Sequence, residues 1–274
     1  MTYTKLGPRA LDYTLCQYGV SRNIFRGPRK SFCKPYIACL GGSETFGQSV
    51  PAPFPILTER LIGQTVVNLG VTHAGPDLYL KDEAVIDIAQ NAQFCVLQVM
   101  GAHNMSNPYY KVHPRRNDRF IKALPALVDI FPEVDFTDFH YTKHLLHHLN
   151  LMDCDRFQLI STALRTTWCD KMKRLLNMIN RPTVLLWMQN KSNSFSFDSD
   201  PLFITESDIS SLNSQVLGIS KYRRCSTPTT YSKYVSLMYL IKIATPRSAC
   251  GWQPISSCMW HRLGTKKPPK ERAF

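Results

Sequence analysis

Not one aspartate or glutamate occurs between residues 209 and 270. At the acidic frequency of the preceding chain, about six would be expected there. This absence localises the charge. Residues 221–274 hold eleven Lys and Arg against Glu271 alone, a net of +10, whereas residues 1–220 hold the other 22 basic and 19 acidic residues, a net of +3. The overall +13 would by itself suggest a polyanion partner such as nucleic acid, but it belongs to a tail. Long apolar runs are also missing: none approaches the roughly 20 residues needed to cross a bilayer. The first twenty residues lack the basic-then-apolar run of a secretory signal. No membrane partner is expected. The nine cysteines show no C-x-x-C and no paired spacing, which argues against a disulfide framework or zinc ribbon and makes a reduced, cytoplasmic protein the default expectation. There is no HExxH. His140, His144, His147 and His148 would share one helical face, but their Leu and Lys neighbours supply no carboxylate or thiolate. Neither a metal nor a cofactor is expected.

What is present is enough for a core: 44% of residues are hydrophobic and 11% aromatic. The first 34 residues are polar and Arg-dotted. From Tyr36 a regular alternation begins. PYIACL stops at Gly41-Gly42 as a buried strand would, and FPILTERLIG (54–63) has helical spacing with Gly63 as C-cap. TVVNLG (65–70) reads as a second strand, LYLKDEAVIDIAQNA (78–92) as one helix, and FCVLQVMG (94–101) as a third strand. A helical region is expected over 118–180, interrupted by Pro125 and Pro132. TVLLWM (183–188) reads as a fourth strand, with a short helix near Asp208. Strand–helix alternation at this spacing implies an α/β fold, a parallel sheet with helices on both faces. Ligands then sit at the carboxyl ends of the strands. The domain is expected over residues 1–220, followed by the basic tail 221–274.

Three strand-end loops have unusual composition: GGSETFG (41–47), NLGVTHAG (68–75) and GAHNMSN (101–107). In order and spacing they resemble the blocks of the SGNH/GDSL hydrolases, G-D-S-x-T-x-G, N-x-G-x-x-G and a strand ending G-x-N-D. The strings GGSETFG, NLGVTHAGPD, QVMGAHNMSN and VHPRRNDRF also resemble an uncharacterised bacterial domain family of unknown function, over residues 10 to about 208. The first resemblance implies a three-layer, flavodoxin-like fold and a serine hydrolase or acyltransfer activity on an ester or acetyl group. Ser43 would be the nucleophile. The oxyanion donors would be the Ser43 amide, a block-two backbone amide and the block-three Asn. The sequence departs from the pattern at three places. Gly42 stands where the blocks have Asp. His73 aligns with the block-two Gly, with Gly75 two residues on. His103 aligns with the block-three Asn, and a one-residue slip makes Asn104 the donor instead. The base implied is a His in a D-x-x-H after the last strand. Beyond Met188 the only His is His261, with no Asp three residues before it, which leaves His73, His103 and His113 as alternatives.

VHPRRNDRF (112–120) follows the third loop. Arg115, Arg116 and Arg119, with His73, are candidate substrate-binding residues, a clamp for the anionic part of a small molecule or saccharide. The alternative is a helix start capped by Asn117 or Asp118, with the arginines salt-bridged internally. A catalytically incomplete module that binds an anionic ligand through this loop is the competing functional reading. Nucleic-acid binding through the tail ranks last, because no recognised binding motif is present. The tail itself reads in two ways: as a basic appendage, or as a shifted reading frame. Codons for Cys258 to Pro269 can also encode, two bases out of phase, a string with the terminal His that the resemblance requires.

Overall fold

The computed structural model describes residues 11–189, 197 and 201–223. Two short strands, β1 (Leu15–Cys16) and β2 (Phe25–Arg26), pair antiparallel ahead of the main sheet. The domain then runs β3 (Tyr36–Gly41), α1 (Ser43–Phe46), α2 (Phe54–Ile62), β4 (Thr65–Gly70), α3 (Pro76–Leu80), α4 (Glu83–Gln90) and β5 (Phe94–Gln98). It continues through β6 (Tyr110–Val112), β7 (Phe120–Ala123), α5 (Pro125–Ile130), α6 (Thr142–Met152), α7 (Cys154–Ile179), β8 (Thr183–Gln189), α8 (Glu206–Ser210) and β9 (Gly218–Arg223).

The central sheet has the order β4-β3-β5-β8-β9, every pair parallel. This is the flavodoxin-like doubly wound order. The apolar runs of its strands follow from that topology, because a parallel sheet is covered on both faces. Alternate residues of each strand serve different cores. Ile37, Cys39, Phe94, Val96, Val184 and Leu186 pack with Phe54 and Ile62 of α2. Ala38, Leu40, Cys95, Leu97, Leu185 and Trp187 pack on the other face with α3, α4, α6 and α7. The fold class is therefore the three-layer α/β sandwich that the alternation implied.

Several local expectations change. The helix expected over 78–92 is broken at Lys81-Asp82, where the Asp82 side chain accepts from the Val85 amide and starts α4 afresh. Residues 120–123 form β7 of a hairpin with β6 rather than helix, and Pro125 opens α5 instead of interrupting it. His140 precedes α6, so the four histidines do not share one helix. His144 and His148 stack on Phe139, and His147 on Phe197. β9 was not anticipated, and it crosses residue 220, so the sheet runs past that boundary into the acid-free segment. The rest of the expected tail, including His261 and the frame-shift string, lies outside the described residues. No helix among the described residues is long and apolar enough to cross a membrane.

Candidate active site

Ser43 is the first residue of α1, two residues past the end of β3, with Gly42 between them as N-cap. A four-residue helix has little stability of its own, so the turn is held from outside. Gln98, at the carboxyl end of β5, is the main clamp. Its Oε1 accepts from the Gly42 amide at 2.9 Å, the Thr45 amide at 3.1 Å and the Thr45 hydroxyl at 2.6 Å, and its Nε2 donates to Glu44 at 2.5 Å. Asn68 holds the far side, donating to the Thr45 carbonyl at 2.8 Å and accepting from the Gly70 amide at 2.9 Å. Beneath them the buried Tyr79 hydroxyl donates to the Gly41 carbonyl at 2.6 Å and accepts from the Gly41 amide at 3.0 Å. Burial pushes that phenol well above its usual range, so it stays a donor. Sequence reasoning missed Gln98. Its signal was a single polar residue inside the apolar run FCVLQVM.

The second loop meets the serine through its backbone. The His73 amide donates to Ser43 Oγ at 3.0 Å, and no imidazole is hydrogen-bonded to that hydroxyl among the described residues. His73 has φ 57°, the left-handed conformation a glycine adopts freely. A β-carbon there is strained by about 1–2 kcal/mol. The extra freedom glycine gives the unfolded chain offsets about 0.4–1 kcal/mol of that. His73→Gly is thus expected to raise stability by about 0.5–1 kcal/mol, read as a shift of the urea midpoint at constant slope. Gly75 does not face the serine. Its amide donates to Asn117 Oδ1 at 2.9 Å, and a Cβ on it would overlap the Asn104 carbonyl. The block-two amide that meets the serine is therefore that of His73 rather than Gly75, which serves the close approach of the second and third loops.

In the third loop, Asn104 is the residue that reaches the second loop. Its Oδ1 accepts from the Thr142 hydroxyl at 3.1 Å, and its Nδ2 lies 3.4 Å from the His73 carbonyl. The amide nitrogen has a second N–H. His103, aligned directly with the family Asn, is only 9% exposed, and its Nδ1 is buried without a hydrogen-bond partner among the described residues. Burial, then the neighbouring Lys143 and His73, pull its imidazole down to about 3, against a smaller opposing effect of Asp118. An imidazole with so low a pKa is neutral and a weak base at physiological pH. Ser43, His73, His103 and Asn104 line one cleft of about 360 Å³, together with Glu44 and Lys143.

The arginines of the 112–120 segment lie outside this cleft. Arg116 pairs with Asp118 at 3.2 Å, and Arg119 stacks over the Tyr141 ring at 4.4 Å. Arg115 lines a separate cleft with Arg22, Lys81 and His113. The expected three-arginine clamp is thus divided, because the β6–β7 turn uses two of the guanidinium groups for its own packing. Asn117, fully buried, closes that turn by donating to the His113 carbonyl at 3.0 Å while accepting from Gly75. His113 Nδ1 accepts from the Arg115 and Arg116 amides at 3.3 and 3.1 Å, which commits it to the turn and away from Ser43.

Fold and cleft together define a flavodoxin-like α/β domain that presents a serine at the carboxyl edge of its sheet. The chain belongs to the family described as a domain of unknown function, DUF6473, whose model matches residues 1–241. No curated relative matches the sequence. Among solved structures, it is similar to a carbohydrate esterase family 2 enzyme with a carbohydrate-binding domain from Corynascus thermopiles (Myceliophthora fergusii). That likeness has 11% identity and a TM-score of 0.43, covering 84% of this chain and 72% of that one. It is also similar to the lipase Lip_vut3 from a goat rumen metagenome, with 11% identity and a TM-score of 0.34, covering 77% of this chain and 97% of that one.

Proposed function

We propose that the chain is a serine hydrolase or acyltransfer enzyme acting on an ester or acetyl group, with Ser43 as nucleophile. The observation that carries this reading is the 3.0 Å contact of the His73 amide with Ser43 Oγ at the strand-end cleft. A substrate carbonyl carbon attacked by Oγ would place its developing oxyanion within reach of that amide and of Asn104 Nδ2. The Ser43 proton passes to an imidazole base, and the leaving alcohol takes it up as the tetrahedral intermediate collapses to an acyl-enzyme. Water then releases the acid by the same steps. His103 is a weak base and His113 Nδ1 is occupied in its turn, so His73 is the first histidine to test as the base. A His73→Gly variant that keeps full activity rules His73 out as the base. The substrate is proposed as a small molecule or saccharide. None of the three arginines lines the Ser43 cleft, where Lys143 is the one Lys or Arg among the lining residues.

A fluorophosphonate probe reacts with an activated serine and tests the assignment directly. The expected result is a stoichiometric adduct on the peptide that contains Ser43, found by mass spectrometry. An adduct confined to another serine overturns it. Asn104→Ala is expected to lower kcat about 10²–10³-fold with little change in KM, because its donor acts on the transition state.

A further inference from the structure

A second site lies behind the nucleophile turn. Arg26, at the end of β2, is only 4% exposed, yet no carboxylate pairs with it among the described residues. Its guanidinium donates to three backbone carbonyls, those of Gly47, Val50 (2.8 Å) and Pro51 (2.8 Å), and stacks over the Tyr13 ring at 4.2 Å. Its Nε is buried with no acceptor among the described residues. Carbonyl dipoles solvate a cation but do not neutralise it, and a buried, unpaired charge is costly unless something completes it.

The surroundings have the sign to complete it. Arg26 lines a cleft of about 270 Å³ together with Lys30, Arg60, Glu59 and Asn68. Glu59 is the single acid of that lining, and Lys30 already pairs with it at 2.7 Å. Among the described residues, Arg26 and Arg60 are therefore left as two guanidinium groups without a carboxylate partner on one small cavity. We propose that this cleft binds a small oxyanion of the phosphate type. The volume admits a phosphate group with a short appendage, and planar guanidinium groups suit its oxygens. The carbonyls that Arg26 holds belong to the loop directly after α1, and Asn68 contacts Thr45 in α1. Occupancy would thus brace the back of the Ser43 turn.

The test uses the full chain and inorganic phosphate, with sodium chloride at matched ionic strength as control, and reads Tm. Phosphate is expected to raise Tm saturably and chloride not to. Arg60 is exposed on α2 and outside the core, so Arg60→Ala should fold normally while weakening the half-saturating phosphate concentration about tenfold or more. Arg26→Gln is expected to remove the phosphate response. A response unchanged in Arg60→Ala, or reproduced by chloride, means an adventitious ion only and overturns the proposal, even if Arg26→Gln does not fold. Ser43→Ala should keep the full phosphate response, which separates this site from the hydrolase reading.

Discussion

Ser43→Ala is expected to abolish ester hydrolysis, lowering kcat on the order of 10⁴–10⁶-fold while leaving KM and Tm nearly unchanged. The size follows from the role. A hydroxyl that forms the acyl bond has no substitute in the cleft, since Glu44 is tied to Gln98 and the Thr45 hydroxyl is spent on the same Gln98. The small structural effect follows from the surroundings. The turn is built by Gln98, Asn68 and Tyr79 acting on Gly41, Gly42, Gly70 and Thr45, and none of those bonds involves the Ser43 side chain. Removing Oγ frees only the His73 amide, which water can reach. Steady-state kinetics on a short-chain nitrophenyl ester, paired with thermal melts, measures both. A variant that retains wild-type turnover rules out the serine mechanism.

The second large effect is acid sensitivity centred on His103. A histidine in the unfolded chain titrates near 6.5, whereas in the fold His103 is pulled down to about 3. The unfolded state therefore binds the extra proton between those values. Stability is complete above about pH 6.5 and falls as pH drops toward 3, by roughly 1.4 kcal/mol per unit and on the order of 3–5 kcal/mol in all. Carboxylates whose pKa the fold lowers, such as the buried Asp208, shed their contribution only below about pH 4. The window from pH 6.5 to 5 thus isolates the histidine. Urea unfolding at those two values should show a loss of about 2 kcal/mol in wild type. His103→Gln should flatten it, because an amide carries no proton to gain. Parallel pH profiles for the two proteins would falsify the assignment.

Much of the frame was legible along the chain. The strands β3, β4, β5 and β8 are apolar runs, most of them stopped by glycine, and that pattern arises because a parallel sheet is covered on both faces. β9 escaped because GISKYR sits at the sheet edge, where basic residues are tolerated and no apolar run is needed. The break between α3 and α4 escaped because helical periodicity continues across Lys81-Asp82, while Asp82 competes for the backbone locally and is also held by Ser21 and Asn23 from the amino-terminal segment.

The sequence by itself determined the fold class, the order of the main elements and the three loops that gather at the strand ends, because periodicity and glycine stops are local properties. Only the tertiary structure decided which groups meet. The block-two amide at Ser43 is that of His73 and not Gly75, the serine turn is clamped by Gln98 from more than fifty residues away, and the three arginines part company. The reason is physical. A hydrogen-bond partner is chosen by distance and direction in space, and neighbours in space need not be neighbours in the chain.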